Sequence, residues 1–127
     1  MSVRDLASAL RAALTAAADP ARAAPMQAYM KSSMPFLGVG ADDQREVHRR
    51  VFSGVDFPNA AAWRRTALAL WRRSRYREER HAAIALTGVR RFERFQDLAA
   101  LPMYEEMITT GAWWDYVDGI AARLLPN

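Results

Sequence analysis

The 127 residues predict an all-α fold: about seven short helices, paired antiparallel into a solenoid of HEAT-like repeats. Three observations lead there. No segment alternates apolar and polar residues over the length a half-buried strand requires. Apolar residues recur instead at three- and four-residue steps, bounded by capping residues and by proline or glycine. Successive helix pairs repeat at roughly 35–45 residues, a period typical of stacked helical repeats. A balance of 51% hydrophobic and 25% charged residues fits a folded chain, and residues 1–127 read as a single helical-repeat domain with no linker.

The elements follow in order. Ser2 with Asp5 resembles a capping box, and Val3, Leu6, Leu10 and Leu14 form the apolar stripe of a first helix ended by Asp19-Pro20. Pro25 suits the first position of a short second helix carrying Met26, Tyr29 and Met30, whose spacing reads as core. Pro35 to Gly40 reads as an apolar loop, after which Asp42 or Asp43 caps a third helix with Val47, Val51 and Phe52 inward and Gly54 at its end. Pro58-Asn59 opens a fourth, with Trp63, Ala67, Leu70 and Trp71 on one face and Arg64, Arg65, Arg72 and Arg73 beside or opposite it. A fifth runs from about Tyr76 to Thr87 and stops at Gly88. Pro102 opens a sixth with Met103, Tyr104, Met107 and Ile108 inward, and a seventh starts near Trp113.

Composition narrows the chemistry. With no cysteine, thiolate catalysis, disulfides and Cys-based zinc sites are excluded. His48 and His81 are the only histidines; His48, flanked by Arg49 and Arg50, reads as a surface residue. Gly38-Val39-Gly40 lacks the strand and helix context of a dinucleotide site, and no phosphate-binding loop or serine nucleophile motif occurs. No metal or cofactor is expected. The longest stretch without a charge, Ser32 to Ala41, is broken by proline and glycine, so no membrane span is expected. The N-terminus lacks a long apolar run, and a cytoplasmic location is expected.

The net charge is +4, and it is unevenly spread. Residues 72–94 carry eight arginines against Glu78, Glu79 and Glu93, whereas residues 95–127 carry one arginine against five acids. A concentrated arginine field attracts polyanions, nucleic acid above all. The alternative is a solvated helix face with internal Arg–Glu pairs among Arg77, Glu78, Glu79 and Arg80. The densest chemical cluster is Trp113-Trp114-Asp115-Tyr116-Val117-Asp118. On a helix, Trp114 and Asp118 share a face, so an indole and a carboxylate flank one space. Asp115 suits a first turn, where the helix dipole favours a carboxylate. Asp118 is a functional carboxylate, a surface residue or the partner of a buried arginine.

Several segments together resemble one family. Pro25-Met26-Gln27-Ala28-Tyr29-Met30-Lys31, Phe36-Leu37-Gly38-Val39, Leu70-Trp71, Arg77-Glu78 and Trp113 to Asp118 look, in order, like the AlkD-type DNA alkylation repair enzymes, alkylpurine DNA glycosylases built of HEAT-like repeats. The resemblance implies excision of cationic alkylated purines, such as 3-methyladenine and 7-methylguanine, from duplex DNA. It implies Asp118 as the catalytic carboxylate and Trp114 as an aromatic wall against the sugar. A basic surface gripping the DNA backbone would include Tyr29, Lys31, Arg45, Arg72, Arg73 and Arg77. Two features depart from the family pattern. Gly40 and Asp42-Asp43 stand where members often carry a polar residue, Ser/Thr-Pro and arginines. Members are also longer, so the chain is expected to be the N-terminal half of the family fold, its cleft completed by C-terminal repeats or by a second copy. The alternative from a different class is a non-catalytic helical-repeat module that binds DNA or protein.

Overall fold

A computed structural model describes residues 2–111 and places six α-helices there: α1 (Val3–Ala16), α2 (Pro20–Met30), α3 (Ala41–Phe52), α4 (Ala60–Arg73), α5 (Arg77–Thr87) and α6 (Leu101–Gly111). Two 3-10 segments, Arg90–Phe95 and Leu98–Ala100, join α5 to α6. No strand occurs among the described residues, and the all-α prediction holds. The helix expected from Trp113 lies outside them.

The helix starts follow from side chains that satisfy the first free N–H groups. Ser2 Oγ accepts from Asp5 N at 3.1 Å, and Asn59 Oδ1 accepts from Ala62 N at 2.9 Å. Two starts differ from expectation. Helix α2 begins at Pro20, not Pro25, because Asp19 Oδ1 accepts from Ala21 N at 3.0 Å and proline costs nothing at the first position. Pro25 falls inside the helix, where its missing N–H removes one bond of the ladder. Gly40, not Asp42 or Asp43, caps α3; its carbonyl accepts from Gln44 N at 2.9 Å. The two aspartates occupy the first turn, where the dipole still favours them.

The core is built on α4 and α5, which pack against each other more extensively than any other described pair. From α4 come Trp63, Ala67, Leu70 and Trp71, and from α5 come Ala82, Ala83 and Leu86, all buried. The alanines let the two backbones approach closely. Helix α1 lays Leu6, Leu10 and Leu14 into this core and also packs on α3. At one end Trp63 meets Phe95 at 5.9 Å, and Phe57 meets Phe92 at 5.0 Å between ring centroids. Met103, Tyr104 and Met107 of α6 are buried as expected, and the Tyr104 hydroxyl donates to Gln96 Oε1 at 2.7 Å. Helix α2 is the exception: it buries no side chain, and Tyr29 is 87% exposed. The Met26, Tyr29 and Met30 stripe is therefore not core. It lines an open pocket that it shares with residues of α3 and α5.

His48 also departs from its expected surface position. It is half-buried and stacks on Phe52 at 6.1 Å. Burial first, and the neighbouring His81 second, push its pKa down from 6.5 to about 4. The unfolded chain therefore binds a proton at His48 that the folded chain rejects. The associated stability is fully present above pH 6.5 and is lost as pH falls toward 4, a linkage of roughly 3 kcal/mol. His48→Leu should flatten the fall of the urea midpoint across that window; a slope equal to that of the natural chain would show that His48 does not carry it.

Candidate nucleic-acid interface

The site is organised by the first turn of α5. Arg77, Glu78 and Glu79 are 0%, 0% and 3% exposed, so the segment is not a solvated face of mutually paired charges. Each residue instead holds a different piece of backbone. The Glu78 carboxylate accepts from Leu37 N at 2.9 Å, Gly38 N at 2.9 Å and Val39 N at 3.1 Å. Arg77 donates its backbone N–H to the Pro35 carbonyl at 3.0 Å, and its guanidinium carbon lies 5.2 Å from the Phe36 ring centre. Glu79 accepts from the backbone N–H groups of Arg75 and Tyr76 at 3.0 and 3.2 Å, and from the Arg11 guanidinium at 2.8 Å. A buried carboxylate costs several kcal/mol unless its lone pairs are filled, and these contacts fill them.

The loop can present three successive N–H groups to one carboxylate only because Gly38 adopts φ +88°. A side chain there would also meet the Asp19 carbonyl: an added Cβ would sit 2.0 Å from its oxygen. Asp19 in turn donates its N–H to the Gly38 carbonyl at 3.1 Å, which ties the loop to the start of α2.

Two surface features result. One is an apolar pocket of about 380 Å³ lined by Met26, Tyr29 and Met30 of α2, Phe36 of the loop, Gln44 of α3 and His81 of α5, with Pro25 at its edge. The other is a polar cleft of about 350 Å³ between Ser33, Met34 and Pro35 of the loop, Ser74 and Arg75 of the α4–α5 turn, Arg80 of α5 and Thr110 of α6. Basic residues flank this cleft in sequence: Lys31 on one side, Arg72 and Arg73 on the other.

The residues expected on a DNA-facing surface separate accordingly. Tyr29 and Lys31 are exposed, Lys31 closing α2 with φ 51°. Arg72 and Arg73 are exposed at the end of α4. Arg72 forms a forked pair with Glu106 at 2.7 and 2.5 Å, which holds the Glu106 carboxyl below its usual range. Arg45 is exposed but paired with Asp42. Arg77 corrects the expectation: with no exposed surface it supports the loop from beneath and offers nothing for DNA to touch. Trp114 and Asp118 lie outside the described residues.

Sequence reasoning missed the roles of Glu78 and Glu79 as buried backbone anchors. The signal available was the position of Glu79 three residues into a helix, the acidic half of a capping box. Among the described residues no group of three potential ligands could hold a metal ion, and no helix is long and apolar enough to cross a membrane.

Comparison with known families gives a match to the DNA alkylation repair enzyme family over residues 10–127. Among curated individual proteins nothing matches.

The loop anchor is testable by denaturation. Glu78→Gln replaces an acceptor-only group with an amide and should lower the unfolding free energy by about 2–3 kcal/mol. Gly38→Ala should cost at least as much, through both its φ and its clash with Asp19. A loss below about 0.5 kcal/mol in both would show that α5 does not hold the loop.

Proposed function

This chain belongs to the DNA alkylation repair enzyme family, and from that membership we propose that it hydrolyses the N-glycosidic bond of cationic alkylated purines, 3-methyladenine and 7-methylguanine among them, in duplex DNA. The observation that carries the reading is the extent of the match, which runs through residue 127 and so includes the Trp113 to Asp118 segment. A DNA-repair role is the family's; the bond cleaved and the residues that cleave it are our inference.

The chemistry asks little of an acid. An alkylated purine already carries positive charge, so it departs with the bonding electron pair as a neutral base. What remains is an electron-poor, oxocarbenium-like sugar. An ionised Asp118 stabilises that cation and orients the water whose oxygen bonds to C1′, while the released proton passes to solvent. The indole face of Trp114 favours adjacent positive charge. The exposed cations Lys31 and Arg73 support the reading from the side of DNA binding, since phosphate contacts set affinity and register; Arg72 is taken by Glu106.

The test is release of 7-methylguanine from alkylated duplex DNA by the natural chain and by Asp118→Asn at matched concentration. Release should vanish in the variant while duplex binding persists. Equal release would remove Asp118 from the mechanism. Duplex binding with no release by the natural chain would leave a non-catalytic DNA-binding helical module.

A further inference from the structure

We infer that the polar cleft between the 33–35 loop, the 74–75 turn and the end of α6 is a phosphodiester subsite gripped by Arg75 and Arg80. The inference rests on the reading that this chain acts on duplex DNA. It names two residues and a contact that the family match does not supply.

Arg11, Arg64, Arg72 and Arg94 each reach a carboxylate. Among the described residues Arg75 and Arg80, like Arg73 and Arg90, reach no carboxylate; Arg80 donates from Nη1 to the Thr110 carbonyl at 3.5 Å, and Arg75 and Arg80 alone of these four line a cleft of about 350 Å³, room for a phosphate and its flanking sugar. The acids on the neighbouring elements are already engaged. Glu78 holds the 37–39 amides, Glu79 holds Arg11 and the 75–76 amides, and Glu106 holds Arg72. None of them lines the cleft. Among the described residues no carboxylate lines the cleft, and two guanidinium groups there form a site for an anion, whose oxygens the forked guanidinium matches.

The walls are also fixed in advance. The Arg80 guanidinium carbon lies 4.7 Å from the centre of the Trp71 ring, and the Trp71 indole N–H donates to Thr110 Oγ1 at 2.8 Å. One face of Arg80 is therefore set by stacking, and binding a phosphate costs it little further ordering. The backbone N–H of Arg75 is held by Glu79 at 3.0 Å. Opposite, the Ser32 hydroxyl donates to the Met34 carbonyl at 2.8 Å, and Arg77 N–H holds Pro35. The Ser74 hydroxyl is spent on the Trp71 carbonyl, so the donors to the anion are Arg75, Arg80 and the Ser33 hydroxyl. Lys31 and Arg73 flank the cleft along the chain, so a backbone seated in it would meet a further cation on either side.

The experiment is equilibrium binding of an undamaged fluorescent duplex across a potassium chloride series. It compares the natural chain with Arg75→Gln, Arg80→Gln, the double variant, and Arg4→Gln, an exposed charge on α1 that does not line the cleft. Each of the first two should reduce the slope of log affinity against log salt by about 1, and the double variant by about 2, with Arg4→Gln unchanged. Arg75 is exposed, so its variant reads the contact without risk to the fold; circular dichroism checks Arg80→Gln. Equal slopes in the natural chain and the double variant would overturn the subsite, as would absence of salt-dependent duplex binding by the natural chain. Inorganic phosphate separates the sources of the ligand. A thermal shift on adding phosphate that the double variant loses, together with unaltered duplex slopes, would make the ligand a free phosphate and overturn the DNA assignment. Base release is not read, so a chain that binds DNA without excision refutes the proposed chemistry and leaves the subsite standing.

Discussion

The buried carboxylate of Glu78 ties the first turn of α5 to the 37–39 loop, and the placement of that loop and of the start of α2 follows from it. It sits on the first turn of α5, inside the core, and takes three consecutive N–H groups of the 37–39 loop. A carboxyl group at that depth is tolerable only when its oxygens are filled, and a loop can cross the interior only when its amides are filled. Each solves the other's problem. The arrangement then reaches outward: Gly38 must take a positive φ, Asp19 must accommodate it, and α2 starts where Asp19 allows. The position of the exposed Tyr29 and Lys31 thus traces back to a carboxylate more than forty residues later in the chain.

The same turn divides the arginines by purpose. Arg77 goes inward beside Phe36, and Arg11 closes over Glu79. Arg72, Arg64 and Arg94 pair across the surface with acids from other elements. Exposed pairs of this kind contribute little to stability, but they cancel charge where it is not needed. Among the described residues Arg75 and Arg80, which line the cleft between the 33–35 loop and the α4–α5 turn, reach no carboxylate, and neither do Arg73 and Arg90. The basic run of residues 72–94 is therefore not one patch. It is spread over buried, paired and open arginines, and only the last kind can answer to a polyanion.

Much of the fold was legible in the sequence. Leu6, Leu10 and Leu14, the Trp63 to Trp71 face, the Asn59 cap, the Gly88 stop and the Met103–Met107 stripe all lie where spacing and end signals put them. Local signals sufficed there because capping and apolar periodicity are local physics. Where two signals of the same kind competed, the choice went astray. Pro20 and Pro25 both suit a helix start, and Asp42, Asp43 and Gly40 all suit a cap; hydrogen bonding decided between them. His48 looked exposed between polar neighbours, but its helix turns it toward Phe52 and His81.

The helical class, the apolar faces, the charge polarity and the resemblance to a repair family are all written in residue types at fixed spacing and so are legible without coordinates. What the charges do is set by the packing of distant elements. Glu78 and Arg77 read as surface residues in any local window. They become interior anchors because an uncapped loop some forty residues earlier needs an acceptor and a donor at that point. Burial and pairing depend on which elements meet, and that information lies in contacts distant in sequence rather than in any motif.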